Sequence, residues 1–207
     1  KTITLANTLA PLHYRLSAVD SSGNRNTTGI KNVTLIDNVN PTFIDHSLTT
    51  GTTGDSFTFN VSAFDNIGVA SVNVTWRHGN VGQTNASLTL YGNSTWKLTV
   101  VLDNNLSAMT YRVRVKDTSQ NIVIGPLKTV NVTDNDKPVI IDHTPTIAQP
   151  GQSFLFNATV TDNIRVAHVF VDYWYDNSTH TNTTMNPIGG SLWQQTIVIN
   201  RSAPLLH

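Results

Sequence analysis

The chain of 207 residues carries 13 Lys and Arg side chains against 13 Asp and Glu side chains, and it contains no cysteine. A net charge of zero gives no overall attraction to nucleic acid or to an anionic membrane, and a chain without cysteine has no disulfides, thiolate metal sites or cysteine nucleophiles. No apolar run approaches the roughly 18 residues that a membrane span requires. We therefore expect no nucleic-acid partner and no membrane span in this segment.

The chain repeats itself at an offset of 97 residues. When residues 37–110 are laid on residues 134–207 without a gap, 27 of the 74 positions are identical. Similarity at a fixed period indicates a tandem array of one structural unit. We predict that residues 1–36 hold the last strands of one repeat, that residues 37–133 form a complete repeat, and that residues 134–207 hold the first strands of a third.

The two incomplete parts overlap in the repeat by 13 residues, so both contain the fifth strand. If the two ends of different copies combined into one sandwich, that sandwich would contain the fifth strand twice. We therefore expect the ends to be completed by neighbouring repeats of a longer polypeptide. Self-association of the chain is the alternative.

Apolar and polar residues alternate along most of the complete repeat, as they do in half-buried strands. In Ser56–Phe64, for example, Phe57, Phe59 and Val61 alternate with small polar residues. The pattern predicts seven strands, at about residues 41–46, 56–64, 69–78, 86–91, 94–102, 109–117 and 121–132. Seven short strands in about 100 residues indicate an all-β fold of tandem immunoglobulin-like β-sandwich domains.

Three aromatic residues of the complete repeat have predicted places in such a sandwich. Tyr111 lies at the start of the sixth strand, where a tyrosine corner would be, and Tyr14 is its counterpart in the first part. Trp76 and Trp96 have inward positions on the third and fifth strands. We interpret all of them as core residues.

Several short patterns mark the repeats. They are Asp37-x-x-x-Pro41, Phe57-x-Phe59-x-Val61, the run DNIGVASV from Asp65 to Val72, and the run AVDSSGN from Ala18 to Asn24. On these patterns, the whole chain resembles the tandem immunoglobulin-like repeats of bacterial and archaeal cell-surface proteins. The resemblance implies an extracellular location and no catalysis. It departs from the family pattern at Gln120, where glycine is usual, and at Arg165, which replaces Gly68.

Acidic and amide residues fall in three loops that meet at one pole of a sandwich of this topology. They are Asp37, Asn38, Asp65, Asn66 and Asp117 in the complete repeat, and Asp134, Asn135, Asp136, Asp162 and Asn163 in the third. Oxygen ligands converging from several loops are what Ca²⁺ requires. Alternatively, Asp and Asn cap turns by bonding to nearby backbone. The sequence leaves both interpretations open, and calcium is the only cofactor that it suggests.

The stretch from Asp134 to Pro138 is also similar to the calcium-binding linkers of cadherins, which stiffen a domain junction. If the likeness extends to function, Asp103 and Asn104 could complete the ligand shell.

Twelve Asn residues begin an Asn-x-Ser/Thr sequence, the acceptor for N-glycosylation. They are Asn26, Asn32, Asn60, Asn73, Asn85, Asn93, Asn105, Asn131, Asn157, Asn177, Asn182 and Asn200. Four of them, Asn60, Asn73, Asn131 and Asn157, have outward parity on strands, so we predict that several sites are glycosylated. This density favours an archaeal owner. The alternative is that a composition rich in Thr and Asn generates sequons without use.

The sequence contains no recognisable catalytic constellation. His46 and His143 occupy equivalent positions, but neither a nucleophile-elbow serine nor a second histidine at metal spacing accompanies them. Glutamate is absent and the Asp residues fall in turns, so a glycosidase-like carboxylate pair is unsupported. We predict that the chain is not an enzyme.

The tandem organisation predicts a structural function, as a repeat segment of an extracellular cell-surface protein such as a surface layer, sheath, stalk or filament. The alternative is an adhesin or a carbohydrate-binding accessory module of a secreted protein, with glycans as partners. Such a module would present aromatic residues on an exposed face. Trp174 is the best candidate, because Tyr173 and Tyr175 take the inward side.

Overall fold

The computed structural model describes residues 2–80, 82–176 and 178–199, and every regular element in these ranges is a β-strand. They hold no helix of the length and apolarity that crossing a membrane requires. The chain divides into two compact units. The first unit takes the residues up to 51 together with 55–103 and 107–132, and the second takes 52–54, 104–106 and 133 onward.

Twenty strands follow one another in these described ranges. They are β1 (Leu12–Tyr14), β2 (Ser17–Val19), β3 (Arg25–Thr27), β4 (Lys31–Val33), β5 (Thr42–Asp45), β6 (Thr50–Thr52), β7 (Ser56–Phe64), β8 (Val69–Arg77), β9 (Thr84–Ser87), β10 (Thr89–Leu90), β11 (Thr95–Val101), β12 (Met109–Asp117), β13 (Ile122–Ile124), β14 (Lys128–Thr133), β15 (Val139–Asp142), β16 (Ser153–Thr161), β17 (Phe170–Tyr173), β18 (Thr181–Thr184), β19 (Asn186–Gly189) and β20 (Leu192–Val198).

The complete repeat folds as two sheets with a core between them. One sheet has the order β10-β11-β7-β5, and the other has the order β6-β14-β12-β8-β9 with β13 beside β12. Alternate residues of the long strands point into the core, where Phe59, Val72, Met109 and Val115 have no exposed surface. The predicted all-β, immunoglobulin-like sandwich is confirmed, and Trp76 and Trp96 pack against this core as expected.

Two of the seven predicted strands are each divided in two. The predicted strand at 86–91 becomes β9 and β10, which belong to different sheets, and Leu88 between them is buried. The predicted strand at 121–132 is interrupted at Gly125 and Pro126, since proline offers no N–H to a ladder. A side chain at position 125 would meet the Phe43 ring, because a Cβ there would lie 2.6 Å from Phe43 Cζ.

Strand β6 was not predicted, because its sequence Thr-Gly-Thr shows no apolar alternation. It lies at the edge of the larger sheet, where its only neighbouring strand in the described ranges is β14. Asn131 N–H donates to Thr49 O at 2.9 Å, and Thr53 N–H donates to Thr133 O at 2.9 Å. The partner of a residue further along β6 is also further along β14, so the two strands are parallel.

Tyr111 is only 2% exposed, but its hydroxyl has a different partner from that of a tyrosine corner. It donates to Asp45 Oδ2 at 2.7 Å, and Lys128 Nζ lies 2.9 Å from the same oxygen. Tyr111 and Lys128 are opposite one another in the β12–β14 ladder. In the first part of the chain, Tyr14 and Lys31 are opposite one another in the same way. The prediction that Tyr14 is a core residue was wrong, however, because it is 45% exposed on a sheet of only two strands.

The second unit contains a sheet of order β15-β16-β20-β19 and a separate β17–β18 pair. Its core is smaller than that of the first unit, and Ala158, Val160, Val169 and Met185 form its buried cluster. The unit preserves the register of the repeat, since β16 pairs with β15 and β20 as β7 pairs with β5 and β11.

Candidate metal centre

Three aspartates of the complete repeat converge at the ends of three elements. Asp37 precedes β5, Asp65 follows β7, and Asp117 is the last residue of β12. One carboxylate oxygen from each lies within 4.8 Å of the others. Asp117 is fully buried, and the other two are partly buried. The structure thus brings together the three carboxylates that the sequence places in separate loops.

Each of these aspartates also caps a turn through Oδ1. Asp65 Oδ1 accepts from the N–H groups of Ile67 and Gly68 at 2.9 and 2.8 Å. Asp37 Oδ1 accepts from the N–H of Val39 at 3.1 Å. Turn capping and metal binding are therefore not exclusive at Asp37 and Asp65, because capping occupies only the Oδ1 atom of each carboxylate.

The second oxygens of Asp37 and Asp65 have no such partner. Both Oδ2 atoms are buried, and neither accepts a hydrogen bond from a described residue. Neither carboxylate forms an ion pair with a described Lys, Arg or His. Buried carboxylate oxygens without a donor or counter-ion are strongly unfavourable. A hard divalent cation between these oxygens would remove the deficit, so the donor set fits calcium.

Asn121 organises the cluster, although it was not among the predicted ligands. Its Nδ2 donates to Asp117 Oδ2 at 2.8 Å and to the carbonyls of Asp37 and Val39 at 3.3 and 3.2 Å. The available signal was an Asp-x-x-x-Asn spacing that recurs 97 residues earlier. There, Asn24 Nδ2 donates to Asp20 Oδ2 at 2.8 Å.

Asn38 and Asn66, two further predicted ligands of the complete repeat, lie at the margin of the cluster. Asp103 lies at the opposite end of the sandwich, because it follows β11 beyond the start of β7. Asn66 is exposed, and its Nδ2 donates to Asp37 Oδ1 at a long 3.4 Å. Asn38 is exposed. Asp103 is also exposed, and its N–H donates to Nδ1 of the buried His78 at 3.2 Å.

The predicted ligands of the third repeat are connected differently, through neutral donors inside the second unit. Asp134 Oδ1 accepts from the Thr53 hydroxyl at 3.2 Å, and Asp136 Oδ2 accepts from Asn163 Nδ2 at 2.8 Å. Asp162 caps its turn through Oδ1. In the described part of this unit, no three carboxylate or imidazole groups converge as they do around Asp117.

Two further residues complete this neighbourhood. Gly54 adopts a φ of +72°, and a Cβ there would lie 3.0 Å from Asn104 Oδ1 and 3.9 Å from Asp136 Oδ2. Asn104 and Asp136 are therefore both close to Gly54, and a role of Asn104 as a ligand stays a prediction. Asn135 is exposed.

The sequons differ in exposure. Asn26, Asn32, Asn85, Asn93, Asn131 and Asn182 are exposed, whereas Asn60, Asn73, Asn105 and Asn157 are half-buried. The Oδ1 atoms of Asn60 and Asn73 are buried without a hydrogen-bond partner among the described residues. Outward parity therefore did not make these two side chains fully accessible. Asn177 and Asn200 lie outside the described residues.

Trp174 does not present both ring faces to solvent. Its ring stacks on that of His180, with centroids 4.1 Å apart and planes inclined by 6°. His180 Nδ1 lies 2.9 Å from Asp172 Oδ2. One face of the predicted aromatic platform is therefore covered.

No protein-family model matches the sequence, and no curated protein matches it significantly. Solved structures of similar construction include a tetra-tandem repeat from the extending region of a large adhesion protein, with 19% identity and a TM-score of 0.39 over 93% of this chain and 49% of that one. The chain thus spans about half the length of that structure.

Two others are fibronectin(III)-like modules of CbhA from Clostridium thermocellum and a structure concerning host cell surface retention of a 1.5-MDa bacterial ice-binding adhesin. The former has 13% identity and a TM-score of 0.34 over 75% of this chain and 78% of that one. The latter has 13% identity and a TM-score of 0.36 over 92% of this chain and 64% of that one. Identities and TM-scores this low do not show what this chain does.

Proposed function

We propose that the chain is a tension-resisting repeat segment of an extracellular cell-surface protein, as in a surface layer, sheath, stalk or filament. The observation that carries this proposal is the parallel pairing of β6 and β14, which lie near the start and the end of the complete repeat. Tension applied along the chain loads two such strands in shear. Their hydrogen bonds must then break together rather than one after another, which resists extension.

Single-molecule stretching of the 207-residue chain tests this proposal. Residues 37–133 should unfold in one event that releases about 320–350 Å of contour length, less the folded length, at roughly 3.3–3.6 Å per residue. The variant Asn131→Pro lacks the N–H that donates to Thr49 O, so it should unfold at lower force. Gradual extension without a distinct event, or an unchanged force in the variant, would contradict the proposal.

Calcium binding in the complete repeat is the second part of the proposal. The unpartnered Oδ2 atoms of Asp37 and Asp65, together with buried Asp117, support it. A cation there would tie the entry to β5 to the ends of β7 and β12, which would stiffen this end of the sandwich. For Asp134, Asp136 and Asp162, calcium binding stays a prediction with weaker geometric support.

Glycosylation is the third part. We expect glycans first at the six exposed sequons, because a transferase must reach the Asn side chain, and last at Asn60 and Asn73. Peptide mapping by mass spectrometry of the protein from its native source checks this order. A bare polypeptide mass, or modification confined to the half-buried sites, would refute it.

The alternative function, an adhesin or carbohydrate-binding module, also has a specific observation in its favour. It does not come from Trp174, whose ring is partly covered, but from an arginine-lined cavity in the complete repeat.

A further inference from the structure

The outer face of the larger sheet carries cations without acidic partners. The burial pattern of β12 alternates, and its outward residues are Thr110, Arg112, Arg114 and Lys116. The neighbouring strand β8 adds Arg77. Outward positions on β8, β9, β12 and β14 include no carboxylate. The net charge of zero therefore conceals a local excess of cations on this face.

Two of these arginines lie beside one another. In the ladder between β8 and β12, Arg77 is opposite Thr110 and Arg112 is opposite Thr75. The two arginines are thus diagonal neighbours on one face, at a separation of roughly 7–8 Å that long side chains can bridge. Both are exposed, and neither guanidinium forms an ion pair or a hydrogen bond with another described side chain. Two unpaired guanidinium groups at this distance form a ready receptor for one carboxylate.

A cavity of about 250 Å³ lies between them. Besides the two arginines, it is lined by the hydroxyl-bearing Thr75 and Thr110 and by the exposed amide of Gln83. Leu127, which is 57% exposed, supplies its apolar wall. Trp76 also borders the cavity, but its ring packs against Phe59 on the core side of the sheet. The volume is slightly below the roughly 300–1,000 Å³ of drug-sized ligand sites, so one sugar ring matches it better than an oligomer does.

We propose that this cavity binds an acidic sugar, a uronic acid residue of a surface polysaccharide. Arg77 and Arg112 receive the carboxylate, the Thr75 and Thr110 hydroxyls and Gln83 bond to ring hydroxyls, and Leu127 contacts the apolar ring face. A nucleic acid fits less well, since no row of exposed aromatic rings follows the cationic face in the described residues. The matching positions of the third repeat hold Asp172, Trp174 and His180, so the site belongs to the complete repeat.

Isothermal titration of the 207-residue chain with a short oligogalacturonate tests the proposal, and the fully methyl-esterified oligomer serves as a matched ligand without charge. We expect saturable binding of the acid form only. Arg77→Gln and Arg112→Gln should each raise Kd about tenfold or more, because each removes a charge-assisted bond. Arg114→Gln is the control, since it lies on the same strand and face but outside the cavity, and it should change Kd less than about threefold, the effect of a screened charge.

Several outcomes would overturn the proposal. They are equal binding of the methyl ester, an equal effect of Arg114→Gln, and no binding by the folded wild-type chain at millimolar oligomer. Equal competition by inorganic phosphate, polyglutamate or single-stranded DNA would also overturn it, because it would indicate a general anion site. Unchanged melting temperatures confirm that the variants are folded. Because none of these readouts involves tension, the sugar site can fail while the resistance to tension stands, and the reverse also holds.

Discussion

Replacement of Asp45 by asparagine is expected to lower the free energy of unfolding at pH 7 by about 1.5–3 kcal/mol, the range for hydrogen bonds to a charged group. The Asp45 side chain is 3% exposed, and its Oδ2 accepts from both Tyr111 and Lys128. An amide nitrogen in place of this oxygen would face the Lys128 ammonium, which would then be left without its counter-ion. The first strand of the sandwich would lose its polar connection to β12 and β14.

The same substitution should change the response to acid. Burial by itself would raise the pKa of Asp45, but hydrogen bonds from Lys128, Ser47 and Tyr111 outweigh it and hold the pKa below the ordinary 3.8. Because the folded pKa is lowered, the stabilisation is present above the unfolded pKa of about 3.9 and is lost as the pH falls through the folded value. Wild-type stability should therefore decline below about pH 4, and the variant should lack this part of the decline.

Urea unfolding between pH 2.5 and pH 7 measures both effects. The matched control is Asp142→Asn, since Asp142 is the counterpart of Asp45 but is exposed, and asparagine keeps an acceptor for the Thr144 N–H. It should change stability by less than about 0.5 kcal/mol, as surface substitutions usually do. Equal losses in the two variants would refute the assignment to the buried Asp45 contacts.

Tyr111 should impose the opposite limit at high pH. Burial and the hydrogen bond to Asp45 raise its pKa well above 10. For a group whose folded pKa is raised, the stabilisation is present below the unfolded value of about 10 and is lost as the pH rises beyond it. Stability of the wild-type chain should thus decline again above pH 10, whereas Tyr111→Phe should not show this step.

Addition of 10 mM calcium is expected to stabilise the first unit by about 1.4–2.7 kcal/mol. This range follows from a Kd of roughly 10⁻⁴–10⁻³ M, typical of extracellular modules, and from preferential binding to the folded state. The melting temperature in calcium and in a chelator gives the shift. Magnesium at equal concentration should have less effect, because it demands a smaller octahedral shell and dehydrates reluctantly.

Asp65→Asn should abolish this shift. Asparagine retains the Oδ1 acceptor for the N–H groups of Ile67 and Gly68, so the turn persists while the unpartnered carboxylate oxygen is lost. Asp162→Asn is the matched control, because Asp162 caps the equivalent turn of the second unit. A shift that survives in Asp65→Asn, or that disappears in Asp162→Asn alone, would contradict a site at Asp37, Asp65 and Asp117.

Much of the fold follows from local patterns. Alternation along Ser56–Phe64 and Val69–Arg77 predicts which side chains enter the core, since the period of a strand is two and one sheet face is buried. The strand division at Leu88 was missed because the change of sheet there depends on what lies opposite, and no local signal marks it. Gly125 is similar, as its lack of a side chain is explained only by the approaching Phe43 ring.

The sequence by itself determined that the chain is a tandem array of β-sandwiches and that Asp37, Asp65 and Asp117 lie at one pole, because repeat spacing and strand parity can be read from the order of the residues. Only the tertiary structure decided which oxygens of those carboxylates lack partners, since this depends on the donors that other loops supply. The same holds for Asp45 with Lys128 and for Arg77 with Arg112. Each pair joins residues distant in sequence, and strand register alone sets whether their charges are paired or left open to a ligand.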